Sequence, residues 1–536
     1  MKRYALGGPV IRTSLCFLGL LVSGCAGIQA GRPSPGKLAG GVFTPGRPAA
    51  EAFGPNATLS CHAAGLIQIL TVDAANGKTL TADGQLCAVA EMLLGWDKTD
   101  PPPQRLLEFA AWHLGLAQRP RAIVSPVATE DVGDLAVAFK DPLAQFAGAS
   151  AHPHYGIATT RLAKGSTRVA LVMLDPTVEL GPLPRHLPAG GQATVQGHLA
   201  APLENAKLLT SDSKGHLETA AVPASGDFKA DLHCGDKPGR IQVELRGEEK
   251  GAGKVVLSFP VFCGAMPPAT LALSQPGSWP DDPAQQAKKI LEMINAERTA
   301  AGLSELAWDN AVAGVAQTAA ESLREDGKKG GGVPMDPVPL LQKADAMSPV
   351  VVENPGLALT SEEAQFQFMA SPMLRANLMN PEVTQVGVGV APSKTPEGVA
   401  TAYVVELFTR QLATVDAAAT AKELLKRVEA KRAEAKVNAV KTDPTLDAAA
   451  KKYAAALAGA KGVISNAQSS EILTPLYRAY KSLNIFSAVK ADPLTAADEP
   501  GVVGKGAVIG IGVAQGTHPS LGKNAGYVVF LLGTHR

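Results

Sequence analysis

The strongest constraint on this 536-residue sequence is that part of it recurs. Aligning Asp309 on Asp443 places Ile290-Leu291, Ile294 and Arg298 over Leu424-Leu425, Val428 and Arg432 without a gap. Ile290, Ile294 and Arg298 are four residues apart and so share one helical face. Each Asp is placed to cap a second helix, with Pro444 at a first-turn position it tolerates. Apolar residues then follow in step: Val312, Val315, Ala316 and Ala319 against Leu446, Ala449, Ala450 and Tyr453. Further on, Val386 to Ala391 (VGVGVA) matches Ile509 to Ala514 (IGIGVA), and strand-like runs follow at Tyr403 to Phe408 and Tyr527 to Leu532. A more eroded copy starts at Asp83, with Leu86, Val89, Ala90 and Leu93 at the same offsets, Tyr155 to Ala158 as the Gly-containing strand and Val169 to Leu174 as the last. Helix, capped helix, variable middle and strand pair predict helices packed on a small antiparallel sheet.

Between the first two copies the period changes to two. Thr194 to Leu199, Phe228 to Leu232, Ile241 to Leu245 and Val255 to Phe262 alternate and are separated by Gly-containing turns, which predicts an antiparallel β-sandwich over 186–265. Residues 26–55, rich in Gly, Pro and Ala, read as a flexible tether, and 266–282 as a Pro-rich linker. Ahead of them, Lys2, Arg3 and Arg12 precede a short apolar run, Leu15 to Val22, and then Ser23-Gly24-Cys25. That run is too short for a permanent span, so 1–25 reads as an export signal. Its end resembles a bacterial lipobox with lipidation on Cys25, and Ala26 resembles outer-membrane rather than inner-membrane sorting. Cys61, Cys87, Cys234 and Cys263 remain, an even set that suggests disulfides in an exported chain. Three pairings are possible. The local ones, Cys61–Cys87 and Cys234–Cys263, are favoured over the crossed ones, and no CxxC or HxxxH spacing supports the competing metal site. A formal charge of +1 lacks the basic excess of a nucleic-acid binder.

The middle copy also carries motifs. Ile290 to Arg298 (ILEMINAER), Ala301-Gly302-Leu303 and Leu306 to Asp309 (LAWD) resemble the opening of a bacterial CAP domain, the superfamily of cysteine-rich secretory, antigen 5 and pathogenesis-related proteins, also called SCP-like. Ser371 to Pro381 (SPMLRANLMNP) resembles its second signature and Val352-Glu353-Asn354 its Gly-Glu-Asn triplet. The resemblance implies an α+β fold class: up to three CAP-like α-β-α sandwich domains, with an Ig-like β-sandwich inserted. The CAP domain proper is expected at 283–411, with degenerate copies at 56–185 and 412–536 placed through the repeat.

The family cleft presents two His with acidic partners, sometimes around a divalent metal. Here Leu374 stands at one His position, and no His occurs between His233 and His518. Glu353, Asn354, Leu374 and Arg375 are the expected remnant of that cleft. Without imidazole there is no neutral-pH proton shuttle and no good transition-metal ligand set, so no catalytic residue, metal or cofactor is expected. His152-Pro153-His154, His62 and His113 read as scattered histidines rather than a site. No Gly-x-Ser-x-Gly elbow, His-Glu-x-x-His or phosphate loop occurs. The stretch Lys422 to Lys441 reads as an amphipathic helix with Leu424, Leu425 and Val428 inside. The expected function is a non-enzymatic, lipid-anchored envelope protein that binds a protein, glycan or cell-wall partner. A sterol or lipid carrier with an apolar CAP cleft is the first alternative and a divergent hydrolase the second.

Overall fold

A computed structural model describes residues 35–61, 80–97, 102–127, 132–162, 166–200, 202–273, 280–328, 334–395 and 398–536. The export signal, Cys25 and His62 lie outside them. The class is α+β. Three four-stranded sheets share one strand order, each opening on a two-residue strand that pairs in parallel with its neighbour. The first runs Thr81–Ala82, His154–Arg161, Thr167–Leu174, Arg121–Val127; the second Ala307–Trp308, Gln385–Lys394, Ala400–Thr409, Val351–Ala358; the third Lys441–Thr442, Val508–His518, Gly522–His535, Tyr480–Lys490.

The same local chemistry joins helix to sheet in each unit. Asp83, Asp309 and Asp443 receive Oδ1 hydrogen bonds from the two backbone N–H groups two and three residues on, as an N-cap should. The N–H of each Asp donates to Tyr155, Val386 or Ile509 respectively, at 2.9–3.1 Å. The next residue is glycine every time, and a Cβ on Gly156, Gly387 or Gly510 would lie 2.1–2.2 Å from helix backbone. These glycines let the capped helix lie against the strand.

Each sheet is covered on both faces because its strands alternate. In the middle unit Val386, Val388, Val404 and Phe408 face Ile290, Ile294, Phe368 and Leu378, while Val405 and Leu407 face Val312, Val315, Ala319 and Leu341. The last unit repeats this, with Leu424, Val428, Ile511 and Phe530 on one side and Leu446, Ala450, Val529 and Leu531 on the other. The helix expected over Lys422 to Lys441 runs instead from Ala417 to Glu434. Asp416 caps its start, and Lys441–Thr442 is the short strand of the sheet.

Three expectations for the first half need correction. The tether is not loose over 35–55: Lys37–Ala39 and Val42–Thr44 form a hairpin, Ala52–Phe53 pairs with Leu183–Pro184, and Phe43 is fully buried. The linker 266–282 contributes Leu271–Ala272 to the strand Val42–Thr44, and Leu273 is buried in the first unit's core. The sandwich starts upstream of 186, since Val178–Leu180 pairs with Gln192–Leu199. Its five-stranded sheet includes two strands that alternation did not single out, Glu204–Ser211 and Leu217–Ala221. Its three-stranded sheet packs Val195, Leu199, Phe228 and Leu232 against Val243, Leu245, Leu257 and Phe259. Both local disulfides form, Cys61–Cys87 and Cys234–Cys263. The second ties the two sheets of the sandwich together, because Cys234 follows the strand Gly226–His233 of one and Cys263 ends the strand Ala252–Cys263 of the other.

Candidate functional site

Of the four residues expected at the cleft, the structure gathers only part. Asn354 is opposite Glu406 in the ladder between Val351–Ala358 and Ala400–Thr409, and both are 0% exposed. Asn354 Nδ2 donates to Glu406 Oε2 at 2.9 Å and to the Leu374 carbonyl at 3.0 Å, and its Oδ1 accepts from Asn377 Nδ2 at 3.0 Å. Asn377 also donates to the Glu353 carbonyl at 3.2 Å. The Leu374 side chain packs on the core around Ile290, Phe368 and Val404.

Glu353 and Arg375 go elsewhere. One residue along a strand reverses the face, so Glu353, opposite Leu407, lies on the other side of the sheet from Asn354. Burial, aided by the negative charge of Asp336, raises its carboxyl to about 7. Arg375, 3% exposed, donates through Nε to the Asp212 carbonyl at 3.3 Å and through Nη2 to the Ser213 carbonyl at 3.2 Å. It is an anchor for a turn of the β-sandwich. Gly215 in that turn approaches so closely that a Cβ would lie 2.3 Å from Met379 Cβ.

Sequence reasoning missed Glu406. It belongs to an apolar strand, Tyr403 to Phe408, where a charged residue at an inward position was the available signal. Burial raises its carboxyl to about 8, partly offset by the hydrogen bond from Asn354, and its Oε1 has no hydrogen-bond partner. A carboxyl sealed in this way keeps a proton at neutral pH but cannot reach a substrate.

The residues present do not fit a divalent metal. Leu374 offers no donor atom, Glu406 meets only amides, and Glu353 is on the opposite face. Among the described residues no group of three or more His, Cys, Asp or Glu is arranged to hold an ion. The other histidines are dispersed: His152 N–H caps onto Asp175 Oδ1 at 2.9 Å, His154 Nδ1 lies 3.5 Å from Asp83 Oδ2, and buried His113 meets the Arg47 carbonyl at 2.9 Å.

Because Glu406 is uncharged when buried, its folded-state proton affinity exceeds the ordinary carboxyl value of 4.5. The stability that this raised affinity supplies is complete below pH 4.5 and lost as pH rises toward 8. Glu406→Gln keeps an acceptor for Asn354 and removes the titration. Its unfolding free energy at pH 8 should exceed that of the parent by on the order of 2 kcal/mol, with little difference at pH 4.5. Denaturant unfolding at the two pH values checks this.

Residues 291–407 match the model of the cysteine-rich secretory protein family, CAP. No curated protein matches the chain. Among solved structures, it is similar to an outer surface protein from Borrelia burgdorferi at 19% identity over 24% of this chain and 96% of that one, TM-score 0.21. An extracellular protein containing an SCP domain from Bacillus anthracis shares 15% identity over 34% of this chain and 64% of that one, TM-score 0.20. A cysteine-rich secretory protein from Staphylococcus aureus shares 12% identity over 58% and 95% respectively, TM-score 0.20.

Proposed function

For a chain that carries a CAP domain over residues 291–407, we propose a non-enzymatic role: an exported envelope protein, lipid-anchored at Cys25, that holds a protein, glycan or cell-wall partner on its surface. The observation that carries this reading is how the expected cleft is filled: Glu353 lies on the other face of the sheet, and the polar side chains that remain are tied to other parts of the chain. Asn354, Asn377 and Glu406 bond to one another, Arg375 is committed to the sandwich turn, and Leu374 stands where an imidazole would be needed. General acid–base chemistry requires a group within hydrogen-bond reach of substrate. The related units at 56–185 and 412–536, which this reading takes as degenerate CAP-like copies, favour binding too. Several weak contacts made by linked units raise avidity without any reactive centre. Among the described residues no helix is long and apolar enough to cross a membrane.

The test uses the full chain expressed with its leader. It should sediment with the envelope fraction, incorporate labelled fatty acid, and lose both properties in Cys25→Ser; retention of both in that variant ends the anchoring part. The purified chain should show no thermal shift with Zn²⁺ or Mn²⁺ and should pull down an envelope component at moderate salt. Recovery of nothing above background counts against a partner-binding role. Co-purifying lipid identified by mass spectrometry would favour a lipid carrier instead. Peptide or glycan hydrolysis that disappears in Glu353→Gln would establish a hydrolase.

A further inference from the structure

The β-sandwich has two outward sheet faces, and they meet different surroundings. The five-stranded one is against the CAP domain: Arg240 Nη2 donates to the Met369 carbonyl at 3.4 Å, the Ser258 hydroxyl donates to the Ala370 carbonyl at 3.5 Å, and Arg375 holds the turn at Asp212 and Ser213. The three-stranded one is exposed. Its strands alternate, so Val195, Leu199 and Phe228 enter the core while Gln196, His198, Asp227 and Lys229 stand outward in solvent. His198 is the centre of a row across the sheet, opposite Glu179 on Val178–Leu180 and opposite Asp227 on Gly226–His233.

Part of this exposed face is sunk in a groove of about 840 Å³, within the roughly 300–1,000 Å³ of ligand clefts. Pro55 and Pro182 wall it. The wall is held in place, because Ala52–Phe53 pairs with Leu183–Pro184 and the Gly54 N–H donates to the Gly115 carbonyl at 3.0 Å. Gly54 also lies so near the sandwich that a Cβ would be 3.3 Å from the Leu180 carbonyl oxygen. On the floor, His198 Nδ1 is 2.7 Å from Asp227 Oδ1, a contact that orients the imidazole. Glu179, Gln196 and Lys229 line the same groove, and among the described residues their side chains make no hydrogen bond or ion pair.

The polar side chains stand in two rows on a rigid sheet, roughly 7 Å apart along the strands and about 4.8 Å across them. Their charges nearly cancel, with the carboxylates of Glu179 and Asp227 against the Lys229 ammonium. A polyanion therefore gains nothing here, and a polycation little. None of the large exposed apolar side chains lines the groove, so it lacks the anchors a protein partner uses. A hydroxyl both gives and accepts hydrogen bonds, so a hydroxyl-rich ligand satisfies carboxylate, amide and ammonium alike. We propose that this groove binds a neutral saccharide chain, whose hydroxyls meet Glu179, Gln196, Asp227 and Lys229 between the proline walls. The assignment rests on the partner-binding reading and names the partner as a glycan.

Titration calorimetry on the full chain tests this with neutral tetrasaccharides of glucose, galactose and N-acetylglucosamine, and with cell-wall glycan strands stripped of peptide. At least one should bind saturably, and its affinity should hardly change with salt, because the ligand carries no charge. The double variant Gln196→Ala, Asp227→Ala should bind it at least about tenfold more weakly, the loss of two hydrogen bonds, while its unfolding curve overlays that of the parent. Glu406→Gln, in the CAP domain, should bind as the parent does. If the double variant does not fold, Gln196→Ala alone must weaken binding. No binding by any of these saccharides, parental affinity in the groove variant, or a steep fall with salt each overturns the assignment. An envelope component still pulled down by the double variant leaves the partner-binding role standing and removes the groove from it. Saccharide binding that the groove variant loses, without any envelope attachment of the parent, upholds the groove and removes the anchor.

Discussion

Arg298→Met is expected to remove about 4 kcal/mol from the CAP domain, and Arg432→Met a similar amount from the last unit. Both arginines are 1% exposed and have only carbonyl groups around them. Arg298 donates through Nε to Ser304 at 2.8 Å and through Nη1 to Leu378 at 2.8 Å and Asn380 at 3.0 Å. Arg432 repeats the arrangement on Asn438, Val502 and Gly504 at 2.8–2.9 Å. In each, one fork ties the end of the first helix to the loop that enters the Gly-containing strand. Methionine fills much of the volume but takes the donor from one buried carbonyl, Leu378 or Val502, and from part-buried ones beside it; a buried orphan costs about 1–3 kcal/mol and the part-buried ones less. Lysine should do nearly as badly, because a single ammonium cannot reach carbonyls set in a fork. Denaturant unfolding followed by hydrogen exchange in the strand Ala400–Thr409 reports on the CAP domain. Arg298→Met should move that transition and Arg432→Met should leave it in place. A loss below 1 kcal/mol in both would mean that the loops are held by something else.

Gly387→Ala and Gly510→Ala should each cost about 3 kcal/mol or more. The new Cβ would lie 2.2 Å from Ala313 N in one and 2.1 Å from Leu446 C in the other. Both obstacles are backbone atoms of the capped helix, so no rotamer change relieves the clash; the helix must move off the sheet, taking Val312 or Leu446 out of the core. Gly156→Ala meets Leu86 C and Cys87 N at 2.1 Å and should behave alike in the first unit. Gly314→Ala is the control. That glycine is exposed within the helix Asn310–Lys328 with nothing within 4 Å of its Cβ, so alanine should stabilise by about 0.5–1 kcal/mol. Thermal unfolding of the four variants separates close approach from a general dislike of substituting glycine; equal effects at positions 314 and 387 would refute the packing explanation.

Much of this was legible without coordinates. The capping Asp, the apolar residues after it, the Gly-containing strand and Arg298 on the Ile290–Ile294 face depend on spacing within one element, and comparison of copies separated those spacings from coincidence. The substitution at Leu374 was equally plain, because an imidazole is either present or absent. Glu353 and Asn354 were placed in one cleft through the resemblance to the Gly-Glu-Asn triplet, and a triplet in a strand does not share one face: the pleat sends neighbours to opposite sides.

What the sequence alone determined, then, is whatever repeats at helical or strand period and whatever a side chain's own chemistry forbids. Tertiary structure decided the rest. Strands of two or three residues such as Ala52–Phe53 and Leu271–Ala272 are too short to show a period, so only their partners reveal them. Glu406 became a buried carboxyl of the CAP domain through the register that sets it opposite Asn354. Arg375 was turned from a cleft residue into an anchor by a sandwich turn more than 160 residues earlier in the chain. Glu108, Glu244 and Glu363 are ordinary helix and strand glutamates in sequence, yet each is at most 2% exposed at the junction of the first unit, the β-sandwich and the CAP domain, where burial raises its carboxyl. Their proton affinity belongs to the junction, because desolvation and charge balance depend on which surfaces meet, and no local pattern encodes that.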